Sequence, residues 1–127
     1  MRKIMVFGSF DGFHGGHELF LRDAKKLGDY LIAVVAQDHV VRHLRGADPG
    51  ANLAERFDEL AKVDAVDEVA VGDFELATWR TIERYHPDVV AFGKDQTMLA
   101  EDLQNHLEKL TYQPTLITLN SFEVNRL

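Results

Sequence analysis

Cysteine is absent from the 127 residues, which excludes a disulfide framework, thiolate metal sites and a cysteine nucleophile. Proline is scarce: Pro49, Pro87 and Pro114 each fall between periodic segments, where a residue without an N–H punctuates rather than breaks structure. Basic side chains are outnumbered, 14 Lys plus Arg against 21 Asp plus Glu, for a formal charge of −7. That balance argues against nucleic acid as a partner, because a phosphate backbone rewards clustered Lys and Arg. No apolar run approaches the roughly 18 residues that a membrane span needs, so no membrane partner is expected. The start, Met1 to Phe7, reaches Gly8 too soon for a secretory signal. No repeat, low-complexity stretch or Pro/Gly/Ser linker divides the chain. What remains is a globular composition, 46% hydrophobic, of single-domain length and expected in the cytoplasm. An acidic protein of this kind that binds an anion must do so locally.

Five short apolar runs are expected to be strands: Ile4 to Phe7, Tyr30 to Ala36, Glu68 to Val71, Asp88 to Phe92 and Thr115 to Leu119. Stretches such as Leu31-Ile32-Ala33-Val34-Val35 lack polar alternation, the pattern of strands covered on both faces. Helical segments separate them. Leu19, Phe20, Ala24 and Leu27 share a face of the first, with Lys25, Lys26 and Gly28 as its C-terminal stop. Asn52 followed by Glu55 resembles a capping box ahead of Phe57, Leu60, Ala61 and Val63. A third helix is expected from about Leu76 through Trp79 and Ile82 to Tyr85, and a fourth carries Met98, Leu99, Leu103, Leu107 and Leu110. Strict alternation predicts a doubly wound, Rossmann-like five-stranded parallel sheet with helices on both faces. Ligands of such sheets sit beyond the carboxyl ends of the strands, which directs attention to the residues after Phe7, Val35 and Phe92.

After the first run comes Gly8-Ser9-Phe10-Asp11-Gly12-Phe13-His14-Gly15-Gly16-His17, with four glycines in ten residues between a strand and a helix. Glycine lets backbone approach a ligand closely, and a helix N-terminus offers unpaired N–H groups to an anion. His14 and His17 at that mouth can donate to phosphate oxygens from one side, with Gly16 leaving room between them. The Lys-Ser/Thr of a Walker loop is absent, and the glycine spacing does not fit G-x-G-x-x-G. A metal pair remains an alternative, although zinc would need a third ligand from elsewhere.

These residues match the G-x-F-D-x-x-H-x-G-H signature, and the chain resembles the cytidylyltransferase-like nucleotidyltransferases over nearly its whole length. Leu27-Gly28-Asp29-Tyr30-Leu31, Asp38, Glu55-Arg56, Asp64 to Val69 and Gly93-Lys94-Asp95-Gln96 follow the family's segment order. The resemblance implies transfer of a nucleoside monophosphate from a magnesium-bound nucleoside triphosphate to a small phosphate-bearing acceptor, with release of pyrophosphate. It implies His14, His17 and Asp11 as catalytic residues, and Gly8, Ser9, Phe10, Gly16, Lys94, Asp95 and Gln96 as nucleotide contacts. Asp38, Arg42, Arg45 and Arg56 are implied at the substrate phosphates. Magnesium arrives with the nucleotide, and no residue set is assigned to hold a metal. Each assignment has a plainer alternative: Asp11 orders its loop, Arg42 and Arg45 belong to a solvated basic turn, and Arg56 pairs with Glu55 or Glu59 on the helix surface. His39 and His43, four apart without an H-E-x-x-H pattern, are expected to be surface histidines. A His17→Ala replacement is expected to stop turnover and spare the fold.

The family's second signature, a Ser/Thr-rich segment after the fifth strand, has no match in Ser121 to Leu127. Residues 1–127 are therefore read as one nucleotidyltransferase domain ending before that motif. His39 to Gly46 and Gln96-Thr97 look more like the archaeal-type FAD synthetases, which implies ATP and FMN as substrates. The alternatives are CTP-dependent cytidylyl transfer to glycerol 3-phosphate or a similar phosphate, and a nucleotide-binding module without turnover. Family members often dimerise, so a homodimer is implied by analogy.

Overall fold

The structure is a computed structural model and describes residues 1–120; the reading of Ser121 to Leu127 lies outside the described residues. Five strands form one parallel sheet: β1 (Lys3–Gly8), β2 (Tyr30–Val35), β3 (Glu68–Val71), β4 (Val89–Gly93) and β5 (Thr115–Leu119). The helices are α1 (Gly15–Lys25), α2 (Asp38–Arg45), α3 (Leu53–Ala61), α4 (Arg80–Tyr85) and α5 (Thr97–His106), the last continued by a 3₁₀ turn at Leu107–Lys109.

The strand order is β3-β2-β1-β4-β5. The chain walks outward from β1 to β3, then jumps back across β1 to β4. With one crossover hand, that reversal sends the later helices to the opposite face. The core divides accordingly. Ile4, Val6, Leu31, Ala33, Val89 and Ala91 face Phe20, Leu21 and Ala24 of α1 and Leu60 of α3. Met5, Ile32, Val34, Val90 and Phe92 face Ile82 of α4 and Leu103 of α5. Alternate residues of the same strands thus fill two cores, which is why these runs show no polar alternation. Fully burying each such aliphatic side chain stabilises by roughly 1.5–3 kcal/mol.

Several local expectations need correction. Arg42 and Arg45, for which a solvated basic turn was the plainer alternative, lie in helix α2 (Asp38–Arg45); it ends on Gly46 in the left-handed region, φ 78°, as a glycine after a C-terminus does. The third expected helix is shorter, because Trp79 at φ 55° is non-helical and α4 begins only at Arg80. Gly28 is not the stop of α1, whose cap is Lys26. A Cβ at Gly28 would meet the Arg2 carbonyl at 2.6 Å and Ile4 Cδ1 at 2.7 Å, so the glycine serves close packing against the start of β1. Met98, expected on an apolar face, is 81% exposed, and Ala61 is exposed as well.

Candidate active site

The β1–β4 ladder pairs Ile4 with Val89, Met5 with Val90 and Val6 with Ala91. The next groups along both strands are joined by a side chain instead. Gln96 Nε2 donates to the Phe7 carbonyl at 2.8 Å, and Gln96 Oε1 accepts from the Gly93 N–H at 2.9 Å. The crevice where strand order reverses opens at this point, beyond the carboxyl ends of β1 and β4.

From Gly8 the chain turns through Phe10, at φ 51°, and Gly12, at φ 60°. Left-handed backbone at a phenylalanine is strained, and such strain persists only where surrounding contacts impose it. Here the Phe10 ring is buried beside His17, centroids 5.8 Å apart, within the α1/α3 core. Cβ positions at Gly12 and Gly15 would meet nothing within 4 Å, so open space lies over both.

His14 is the N-cap of α1, in extended conformation. Its Nδ1 accepts from the Gly16 N–H at 2.9 Å, and the His14 N–H donates to His17 Nδ1 at 3.1 Å. The two rings form a reciprocal capping box, with imidazoles where Ser and Glu are usual. Main-chain N–H groups can only donate, so both Nδ1 atoms present lone pairs and each neutral ring carries its hydrogen on Nε2. The two rings lie tilted at 35° to each other, centroids 4.0 Å apart, and Phe13 stacks on His17 at 5.3 Å. His14 is exposed while His17 is 1% exposed. Two expectations change. Gly16 spends its N–H on the cap instead of a ligand, and His17→Ala removes buried packing as well as a donor, so the fold will not be spared.

Asp11 accepts from Gly50 N–H at 2.8 Å, Ala51 N–H at 2.9 Å and Arg45 Nη1 at 3.1 Å. Burial pushes its pKa up, but these three donors outweigh it, and the carboxyl lies below its ordinary value. The geometry is that of the loop-ordering alternative, with Asp11 tying the loop after β1 to the chain between α2 and α3. Arg42 pairs with Asp48 on the surface. His39 is half-buried, with Nε2 2.6 Å from the Phe74 carbonyl, while His43 is exposed as expected.

Arg56 departs from both readings. It is 1% exposed and pairs with neither Glu55 nor Glu59. Its Nε donates to Ala51 O at 3.0 Å, Nη1 to Ser9 O at 2.9 Å and Ala36 O at 2.7 Å, and Nη2 to Asp38 Oδ1 at 2.6 Å. A guanidinium spent in this way does not reach a substrate phosphate. It fastens together the loops after β1 and β2 and the entry to α3. Asp38 likewise serves Arg56. Ser9 is 1% exposed, and its hydroxyl has no hydrogen-bond partner among the described residues. Lys94 is exposed and Asp95 half-buried at the end of β4, on the same sheet edge as the histidines.

A parallel sheet with a His-capped, glycine-rich helix mouth at its reversal point defines a nucleotidyltransferase of the α/β class. The chain belongs to the cytidylyltransferase-like family, whose sequence model matches residues 5–121. It is 37% identical to the FAD synthase of Pyrococcus horikoshii, over 92% of this chain and 79% of that protein. The FAD synthase of Ferroglobus placidus is also 37% identical, over 97% of this chain and 79% of the relative. Among solved structures, a lipopolysaccharide core biosynthesis protein from Thermoplasma volcanium superposes with a TM-score of 0.88 at 29% identity, covering 97% of this chain and 99% of that one. No helix among the described residues is long and apolar enough to cross a membrane.

Proposed function

We propose that the protein is an adenylyltransferase of the FAD synthase type, acting in the cytoplasm on ATP and FMN. The observation that carries transferase chemistry is the reciprocal cap of His14 and His17, which turns both Nδ1 atoms to main-chain N–H groups and leaves the exposed His14 ring at the helix mouth with Nε2–H as a donor. The choice of ATP and FMN is supported by the FAD synthase relatives.

In this reading an FMN phosphate oxygen attacks the α-phosphorus of ATP, forming the new P–O bond as the bond to the β-phosphate oxygen breaks and pyrophosphate departs. The attacking oxygen is already anionic, so no general base is required. Catalysis rests on holding two anions in line and stabilising charge on the α-phosphoryl oxygens. His14 offers an Nε2–H donor where that charge grows, with the His17 ring packed against it on the same side, and the partial positive charge of the α1 N-terminus adds to it. Asp11, Asp38 and Arg56 hold the loops that place those rings. Lys94 and Asp95, which follow β4, are assigned to the far end of the nucleotide in this reading. Magnesium would arrive with the triphosphate and would neutralise part of its charge.

The test is pyrophosphate release with ATP or CTP, each offered FMN or glycerol 3-phosphate. Release only with ATP and FMN is expected. Release with CTP and glycerol 3-phosphate would overturn the substrate assignment, and tight triphosphate binding without release from any pair would make the chain a binding module.

A further inference from the structure

Strand β1 is held differently on its two sides. Toward β2 the main-chain ladder runs to the last residue, Gly8 against Val35, and the Gly8 carbonyl then accepts from the Ala36 N–H at 2.9 Å. Toward β4 the ladder stops two residues short of the end of β1, at Val6 and Ala91. Past that rung the crevice between the two carboxyl ends opens. The chain leaves β1 into the histidine loop, and it leaves β4 into Lys94 and Asp95.

Gln96 spans the gap. Its main-chain N–H donates to the Gly93 carbonyl at 3.0 Å, which closes the turn at Lys94 and Asp95. Its side chain accepts from the Gly93 N–H and donates to the Phe7 carbonyl, so the turn is fixed to both strands. A carboxylate has no hydrogen to give the Phe7 carbonyl, and Lys or Arg has no acceptor for the Gly93 N–H; an amide presents both at once. The surroundings hold the residue still. Gln96 is 1% exposed, and its carbonyl accepts from the Ala100 N–H at 3.0 Å as α5 begins. Farther along α5, Asp102 accepts from the Trp79 indole N–H at 2.8 Å, and the Trp79 ring meets Phe7 edge-on at 5.3 Å.

We propose that Gln96 is a positioning residue: its amide serves the two strands and sets the spacing between the triphosphate end of the nucleotide site, at the mouth of α1, and the far end, at Lys94 and Asp95. The proposal rests on the reading above, in which a nucleoside triphosphate lies across the carboxyl ends of β1 and β4. A ligand that spans both ends gains from each only when their separation is right, because the second contact then forms at high effective concentration. A ligand that touches one end has no such dependence.

The test compares one spanning ligand with its two fragments, by ligand-observed NMR titration of the full chain. Magnesium ATP covers both ends, inorganic tripolyphosphate only the α1 mouth, and adenosine only the far end. Gln96→Ala should weaken ATP binding by about tenfold or more and leave both fragments at the parental affinity. Turnover of ATP and FMN should fall by about 10²-fold, the effect of a displacement of about 1 Å. Fragments lost along with ATP would make Gln96 merely structural, and equal ATP binding by parent and variant would likewise overturn the proposal. Gln96→Glu keeps the question open to measurement if the alanine variant fails to fold. Its carboxyl reproduces both hydrogen bonds when protonated and loses the donor when ionised, and burial raises its pKa above the ordinary value of about 4.3. ATP affinity relative to the parent should therefore be close to parental at about pH 5 and fall toward about pH 8, with tripolyphosphate unaffected. A ratio that is level with pH would overturn the spacing role. Fragments spared in this way, in a parent that releases no pyrophosphate from ATP and FMN, would sink the proposed reaction and still support the spacing role.

Discussion

In the proposed reaction His14 caps α1 with one nitrogen and donates to the phosphoryl group with the other, and a single substitution separates the two. Asparagine is a good N-cap whose side-chain oxygen can accept from Gly16 N–H as Nδ1 does, but it has no counterpart of Nε2–H. His14→Asn should therefore keep the melting temperature within a few degrees while turnover falls by about 10²-fold or more, the usual cost of one lost transition-state donor. Equal turnover would remove His14 from the chemistry. Arg56 behaves oppositely. Shortening it to alanine leaves the carbonyls of Ser9, Ala36 and Ala51 and the Asp38 carboxylate without their shared donor, a loss of about 3 kcal/mol or more. A large fall in denaturant midpoint is expected; a midpoint near the parental value would mean that these loops do not need the guanidinium.

At the level of elements, the five apolar runs mark the strands to within one residue, and in β1, β2 and β4 burial on both faces leaves a contiguous signal. The capping box at Asn52 and Glu55 is equally legible: Oδ1 of Asn52 accepts from Glu55 N–H at 2.9 Å, and Glu55 Oε1 accepts from Asn52 N–H at 3.0 Å. Asn52→Ala should cost about 1 kcal/mol, read as a few degrees of melting temperature. Helix α2 was hidden because only Val40 and Val41 of its eight residues are buried, too few to show a period. The true role of Gly28 was equally hidden, since its neighbour Arg2 is 26 positions away and a glycine after two lysines reads as a helix stop. Gly28→Ala should destabilise by about 1–3 kcal/mol through the clash with the Arg2 carbonyl. A stabilised variant would instead restore the capping reading. At the site, the motif located both histidines, but their mutual capping and the burial of Arg56 depend on chain folding that no local spacing encodes.

For the molecule as a whole, the depressed carboxyls set the pH response. Asp67 is raised by burial but lowered more by Lys25 and the Leu31 N–H, and Glu83 is lowered by the N–H and hydroxyl of Thr111. With Asp11, all three bind protons more weakly folded than unfolded. Their contribution is complete above the ordinary carboxylate pKa and is lost as pH falls through the lowered folded values, from about pH 4 downward. Melting temperature should fall as pH drops below about 4, with a shallower fall in Asp67→Asn. Stability that grew on acidification would contradict the assignment. Gln96 carries a different whole-molecule consequence. The strands it bridges enter the sheet more than eighty residues apart, and its amide continues their pairing beyond the last ladder rung. In deuterated water the Gly93 amide proton should therefore persist as long as those of the central strands. Gln96→Ala should let it exchange early, making one hydrogen a clock for whether the two halves of the sheet stay stitched.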